Sequence, residues 1–161
     1  MYNEEVINRI KEIINRKDET VAVAESVTSG HLQVAFSLAM EASQYFQGGI
    51  TAYNIGQKTR HLNIEPTYAI EVNCVAEKVS ADMAIEVSKK FISDYGVGIT
   101  GYATIVPQCE KEGLFAYFCV SYKNEIVVSK KLTSKEEGNL KVQLDYTNQG
   151  LKIFLEWLEA K

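Results

Sequence analysis

The sequence predicts an α/β fold in which a central mixed sheet lies between two layers of helices, a three-layer α/β/α sandwich. Two observations lead to this class. Strand-like apolar segments alternate with amphipathic segments of helical period, the pattern of helices that cover both faces of a sheet. Near the C-terminus two strand-like segments are joined by Lys123 and Asn124, so we expect an antiparallel hairpin and a sheet that is not wholly parallel.

The first part of the chain alternates between helix and strand. Asn3 is a suitable N-cap for the first helix, and Asn54 for the third. Pro66 is expected to close the region of this third helix. The predicted elements are, in order, a helix over residues 3–16, a strand over 20–24, a helix over 28–39, a strand over 45–53 and a short helix over 55–62.

The second part begins with an irregular connector and ends with the longest helix. Ser134 to Glu137 has the pattern of a capping box, and the helix that follows carries Leu140 and Leu144 on its expected apolar face. The predicted elements are a connector over residues 67–75, a helix over 77–92, a strand over 94–101, a loop over 103–112, strands over 114–122 and 125–132, and the closing helix.

Composition narrows the classes of function. A chain of 161 residues, 46% hydrophobic and 24% charged, is typical of a single globular domain, residues 1–161. The net charge of −4 without a Lys/Arg cluster argues against nucleic acid as a partner. We expect a cytoplasmic protein, because no apolar run is long enough for a membrane span and the acidic N-terminus is unlike a signal peptide. Three cysteines without a C-x-x-C pair, and only two histidines, argue against a zinc site.

The segment Val21–Gly30 is the first candidate site. A run of small and β-branched residues breaks into Glu, Ser, Thr, Ser and Gly before an apolar helix begins. A strand that enters a helix in this way directs backbone N–H groups toward one spot, which suits an anion or a developing oxyanion. Ser26 lies at the bend, where its hydroxyl could act as a nucleophile. The alternative is that Ser26, Thr28 or Ser29 only caps the helix.

Two further strand ends carry side chains of interest. Tyr53 and Lys58 flank the junction between the second strand and the third helix, where phenol and ammonium can converge on one rim. The alternative is a packed tyrosine and a solvated lysine. Ligands of such sheets bind beyond the carboxyl ends of strands, and Ser26, Tyr53 and Thr100 all lie at such ends. If the three strands are parallel neighbours, these residues share one pocket.

Several motifs resemble those of the CinA C-terminal domain family, which includes nicotinamide-nucleotide amidases. Ala24–Gly30 is similar to the A-E-S-x-T-G-G motif of that family, and Phe46–Asn54 is similar to its F-x-G-G-x-x-x-Y-x strand. Lys58–Leu62 matches its K-x-x-x-L segment, and Thr100-Gly101 lies where the family has T-G-x-A-G-P. The likeness extends over nearly the whole chain.

This resemblance implies hydrolysis of the carboxamide of nicotinamide mononucleotide, giving nicotinate mononucleotide and ammonia, without a metal ion or other cofactor. By motif position Ser26 is the nucleophile, and Lys58 and Tyr53 are its activating partners. Backbone N–H groups from Thr28 to Gly30 are expected to bind the oxyanion or the phosphate. The family likeness also suggests a homo-oligomer, either a homodimer or a higher assembly. The residues expected to bind substrate are Glu25, Thr28, Ser29, Gly30, Gly48, Gly49, Arg60, Thr100 and Gly101.

The chain departs from the family pattern on the ligand side of the site. Ser29 replaces the second glycine of the first motif, and the Gly-rich loop becomes Tyr102–Pro107. No arginine lies near Ser134–Gly138, where the family has G-D-R. Three hypotheses therefore remain open: an amidase acting on a pyridine nucleotide, an amidase acting on another amide, and a binding module without turnover.

Overall fold

The computed structural model describes residues 1–161 and contains a five-stranded mixed sheet with helices on both faces, which confirms the predicted fold class. A single 3-10 turn, Ala42–Gln44, precedes the second strand. The helices and strands, in chain order, are α1 (Glu4–Arg16), β1 (Val21–Glu25), α2 (His31–Ser37), β2 (Phe46–Thr51), α3 (Ile55–Leu62), α4 (Pro66–Glu71), α5 (Glu77–Phe91), β3 (Tyr95–Gly101), β4 (Leu114–Tyr122), β5 (Glu125–Ser134) and α6 (Asn139–Ala160).

The order of the strands is β2-β1-β3-β4-β5. The first three are parallel neighbours, so their carboxyl ends meet at one edge of the sheet. β4 and β5 are antiparallel additions, joined by the predicted hairpin. Lys123 and Asn124 both have positive φ, 49° and 68°, as a tight hairpin turn requires.

Each face of the sheet has its own apolar core. On one face α1, α2 and α6 cover a large cluster that includes Ile10, Phe36 and Phe154. On the other face α3, α4 and α5 cover a smaller cluster around Met83 and Leu62. The sheet is therefore buried on both sides, as its continuous apolar strands predict. No helix has both the length and the apolar character that crossing a membrane requires.

Helix α5 packs directly on the backbone of β3. A Cβ atom at Gly96 or Gly98 would overlap the carbonyl oxygen of Ala84 or Ser80, so only glycine permits this approach. The Ser80 hydroxyl then donates a hydrogen bond of 2.8 Å to the Gly98 carbonyl. This contact holds β3 against α5. The end of β3 forms part of the candidate site described below.

Two predicted boundaries are wrong at the centre of the chain. Pro66 opens helix α4 instead of closing the preceding helix, and residues 67–75 are largely helical, not an irregular connector. Proline is well suited to the first turn of a helix because the missing N–H has no intrahelical partner there. The carboxylate of Glu65 accepts hydrogen bonds from the Thr67 and Tyr68 N–H groups and so caps the helix.

The start of the last helix also differs from the prediction. β5 extends to Ser134, and α6 begins at Asn139 after Gly138, so no capping box forms. The Ser134 hydroxyl instead donates to the carboxylate of Asp145, 2.6 Å away. Leu140 is 59% exposed because the buried face of α6 is shifted toward Val142 and Tyr146. Helix α2 is shorter than predicted, since Ser29 and Gly30 have positive φ and delay its start.

Candidate active site

Ser26 lies in the turn that follows β1, at the edge where the parallel strands end. Its N–H donates to the carbonyl of Ile99, which anchors the turn to β3. Its side chain is 6% exposed, at the bottom of a pocket. The strand-turn-helix geometry expected for this segment is therefore present.

Glu25 holds the start of helix α2 and does not face the pocket. Its buried carboxylate accepts hydrogen bonds from the Thr28 hydroxyl (2.5 Å), from the Gly30 and Leu32 N–H groups, and from the Gln33 N–H (2.8 Å). Glu25 and the Gly30 N–H, both expected to bind substrate, are hydrogen-bonded to each other in this structure, so their role in substrate binding stays a prediction. Glu25 supplies the cap that Gly30 cannot provide through a side chain.

Two backbone N–H groups of the turn remain unused. Those of Val27 and Thr28 donate to no group of the protein, although both residues are buried. The Ser29 N–H, in contrast, donates back to the Ser26 carbonyl. Of the expected donors Thr28 to Gly30, only the Thr28 N–H is therefore without an acceptor, and of the two residues with a free N–H only Val27 lines the pocket.

Lys58 reaches Ser26 from helix α3. The side chain of Asn54 caps this helix by accepting from the Gln57 N–H, which fixes where Lys58 falls on the first turn. The Lys58 ammonium donates to Ser26 Oγ at 2.8 Å and to the Tyr53 carbonyl oxygen at 2.9 Å. It is 1% exposed and forms no ion pair, and burial lowers the pKa of Lys58 while the nearby Cys74 thiol opposes this shift.

Tyr53 contributes its backbone, not its phenol, to this arrangement. Its side chain is 69% exposed at the rim of the pocket, and its hydroxyl forms no hydrogen bond within the protein. The Tyr53 phenol does not bridge Ser26 and Lys58, because the ammonium contacts the serine directly. The Tyr53 ring is free to contact a ligand.

The pocket has a volume of about 480 Å³, which suits a small ligand. Five of the predicted site residues line it: Ser26, Tyr53, Lys58, Thr100 and Gly101. The Thr100 hydroxyl is occupied, since it donates to the Cys74 carbonyl at 2.7 Å. The pocket therefore lies at the shared carboxyl edge of β2, β1 and β3, where the sequence predicts it.

The other seven predicted site residues do not line this pocket: Glu25, Thr28, Ser29, Gly30, Gly48, Gly49 and Arg60. Gly48 and Gly49 are packing positions within β2: a Cβ atom would meet the Phe91 ring in the first case and Val23 in the second. Arg60 is exposed on the last turn of α3. Ser29 is exposed and has a φ of 51°, so the turn accepts a side chain at this position.

Sequence reasoning missed the opposite wall of the pocket. This wall is formed by Asn73 and Cys74 after α4, by Gln108 in the loop after β3, and by Asn139 and Gln143 on the first turn of α6. The i, i+4 spacing of Asn139 and Gln143 places both amides on one helix face, a signal that was available in the sequence. No group of three or more His, Cys, Asp or Glu side chains is placed to hold a metal ion.

The fold and site together define an α/β domain with a buried Ser–Lys pair at the carboxyl edge of a parallel sheet. The chain belongs to the CinA C-terminal domain family, whose model matches residues 3–158. This membership confirms the resemblance found in the sequence motifs.

Named proteins from other organisms are similar to this chain over more than two thirds of its length. A putative competence-damage inducible protein of Natranaerobius thermophilus is 36% identical over 110 residues, 68% of this chain. The matched segment is 26% of that relative, so the chain spans about a quarter of its length. Protein MG115 of Mycoplasma genitalium is 32% identical over 118 residues, which cover 73% of this chain and 75% of that protein.

Solved structures share the fold. The competence damage-inducible protein A of Klebsiella pneumoniae superposes with a TM-score of 0.91 at 15% identity, covering 99% of this chain and 98% of that one. A competence or damage-inducible protein from Enterobacter asburiae gives 0.90 at 18% identity, over 98% and 99% of the two chains. At such low identity the likeness concerns the fold alone.

Proposed function

We propose that the chain is an amidohydrolase that cleaves the carboxamide of a nicotinamide-containing small molecule, with Ser26 as nucleophile and Lys58 as general base. The observation that carries the proposal is the 2.8 Å separation between Ser26 Oγ and the buried Lys58 Nζ at the floor of the pocket. A serine hydroxyl is a weak nucleophile until an adjacent base takes its proton.

Lys58 can act as that base because its environment favours the neutral amine. Burial without an ion pair lowers its pKa. In the neutral form the Ser26 hydroxyl donates its hydrogen bond to Nζ, and the proton moves to Nζ as Oγ attacks the carbonyl carbon. The resulting Lys58 ammonium then protonates the departing amide nitrogen, which leaves as ammonia.

The second half of the reaction reverses these roles. A water molecule gives a proton to the neutral Lys58 and attacks the acyl carbon on Ser26 Oγ. Collapse of the intermediate releases a carboxylic acid and returns the proton to Ser26. In sum, a carboxamide and water yield a carboxylate and ammonium.

The N–H group of Val27, which lines the pocket, is a suitable donor for the oxyanion of both intermediates. It follows the nucleophile directly and has no acceptor within the protein. A donor from the residue after the nucleophile is a common component of oxyanion holes. Such a donor contributes about 3–4 kcal/mol to the stability of the transition state.

Nicotinamide mononucleotide is the substrate that the family resemblance implies. Purified protein should release ammonia from this compound or from another nicotinamide carboxamide, and Ser26→Ala should reduce the rate by about a thousandfold or more. Ser37→Ala is the matched control, because Ser37 is an exposed serine on α2 outside the pocket. Ammonia release that is the same in Ser26→Ala, or absent with every amide tested, would contradict the proposal.

A further inference from the structure

The pocket walls carry many hydrogen-bonding groups but hardly any charge. Of its 18 lining residues, Lys58 is the sole member of the Lys, Arg, His, Asp and Glu types. Its ammonium is already bound to Ser26 and to the Tyr53 carbonyl, and it is almost fully buried. Away from the reacting centre, a ligand therefore meets only neutral groups.

The neutral groups include a set of unpaired amides, which we call the amide wall: Gln108, Asn139 and Gln143. None of these side chains forms a hydrogen bond within the protein. Each amide offers both donors and an acceptor, a combination that matches hydroxyl groups. The wall is thus suited to a polyhydroxyl moiety such as a ribose.

The pocket has no free cationic side chain that could neutralise a phosphate dianion. Phosphates are usually held by Arg or Lys, often with the N–H groups of a helix N-terminus. Helix α6 does begin at the pocket with Asn139, but the nearest cations in sequence, Lys135 and Lys141, do not line it. Lys141 borders a separate surface depression together with Asp145. The N-terminus of α6 would therefore offer a phosphate only its partial positive charge, with no Lys or Arg side chain beside it.

We propose that the preferred substrate carries an unphosphorylated polyhydroxyl group, so that the pocket selects nicotinamide riboside-type carboxamides over their phosphorylated forms. This inference rests on the proposed function, because it assigns the substrate class of the same site. It follows from the amide wall and the lack of a free cation in the lining.

The test uses nicotinamide riboside and nicotinamide mononucleotide, which differ only in the phosphate. We expect kcat/KM for ammonia release to be higher for the riboside by about tenfold or more, because the phosphate charge loses part of its hydration in the pocket and no cation there compensates for this loss. A kcat/KM for the mononucleotide that equals or exceeds that of the riboside would overturn the inference while leaving the proposed function intact.

Two variants that introduce opposite charges at Gln143 provide a second test of this substrate preference. Gln143→Arg places a cation in the amide wall and should raise kcat/KM for the mononucleotide relative to the riboside by about tenfold. Gln143→Glu, at the same position with the opposite charge, should shift the ratio the other way. If neither substitution changes the ratio, the phosphate lies elsewhere and the inference is wrong.

Binding measurements separate this inference from the proposed function. If neither compound is hydrolysed, the proposed function fails, and calorimetric titration of the same two compounds into the protein still compares their affinities. Tighter binding of the riboside supports the assignment of substrate class. Tighter binding of the mononucleotide, or no binding of either compound, overturns it.

Discussion

Lys58 is the residue on which the chemistry of the pocket depends. A lysine that is 1% exposed and has no carboxylate partner is unfavourable for folding, because burial penalises its charged form. The same burial lowers the pKa of Lys58 and so favours the neutral amine next to Ser26. Groups that reduce stability in this way are common at active sites, where function requires them.

We expect Lys58→Met to abolish ammonia release and to raise the free energy of unfolding by about 1–2 kcal/mol near pH 7. The folded-state pKa of Lys58 is lower than its ordinary value of 10.5, so the unfolded chain binds more protons between these two values. Wild-type stability therefore rises with pH across that window, and the variant should lose this rise. Urea unfolding near pH 7 and near pH 10.5 measures both effects.

The control is Lys90→Met on helix α5, since Lys90 is exposed and forms no ion pair. It should change stability by no more than about 0.5 kcal/mol and leave the rate unchanged. A destabilised Lys58→Met protein, or one with full activity, would contradict the role assigned to Lys58.

At the scale of secondary structure, the junction between β1 and α2 depends on a carboxylate from the strand. Helix α2 has seven residues, and its N-cap, Gly30, has no side chain to satisfy the first N–H groups. Glu25 accepts three of these backbone hydrogen bonds and the Thr28 hydroxyl as well. This capping holds the turn that presents Ser26 and leaves only the Val27 and Thr28 N–H groups unused.

Glu25→Ala should therefore lower the free energy of unfolding by about 3 kcal/mol or more, because several buried N–H groups lose a charged acceptor. Glu65→Ala is the matched control: Glu65 also caps a short helix through two N–H groups, but it is exposed. That change should cost only about 1 kcal/mol. Chemical denaturation compares the two variants, and equal losses would show that Glu25 has no special role.

At the scale of the whole molecule, the pocket is assembled from segments that are far apart in the chain. The turn after β1, helix α3, the segment after α4, the loop after β3 and the first turn of α6 each supply one part of its lining. Besides the Lys58–Ser26 contact, hydrogen bonds to backbone carbonyls tie these segments together. Thr100 donates to the Cys74 carbonyl, and the Tyr146 hydroxyl on α6 donates to the Tyr102 carbonyl in the loop.

Tyr146→Phe should release the loop from α6. We expect a loss of about 1 kcal/mol in stability, the usual value of one hydrogen bond, together with a higher KM and a nearly unchanged kcat. Tyr45→Phe is the matched control. Tyr45 is also buried, and its hydroxyl donates to the backbone carbonyl of Phe36, which lies outside the pocket. The control should lose similar stability without a change in KM. If both variants have the wild-type KM, the tether does not shape the pocket.

Much of the fold was predictable because its signals are local. Apolar periodicity indicated every strand and all helices except α4, and the hairpin at Lys123-Asn124 followed from the length of its turn. The errors lie where one local signal has two structural meanings. Pro66 can end a helix or begin one. In the structure the carboxylate of Glu65 accepts hydrogen bonds from the Thr67 and Tyr68 N–H groups, and this cap makes Pro66 the first residue of a helix. Ser134 fits a capping box equally well, but pairing with β4 keeps it in a strand.

The sequence by itself determined the layered α/β class, the turn that presents Ser26, and the placement of Ser26, Tyr53 and Thr100 at strand ends, because these follow from periodicity and from local turn signals. Only the tertiary structure decided that the three strands are parallel neighbours and which groups face the pocket. Glu25 and Gly30 bind each other, Tyr53 offers its carbonyl, and Asn139 and Gln143 arrive from the last helix. Such contacts join residues far apart in the chain, and their distances and directions depend on packing, which no local pattern encodes.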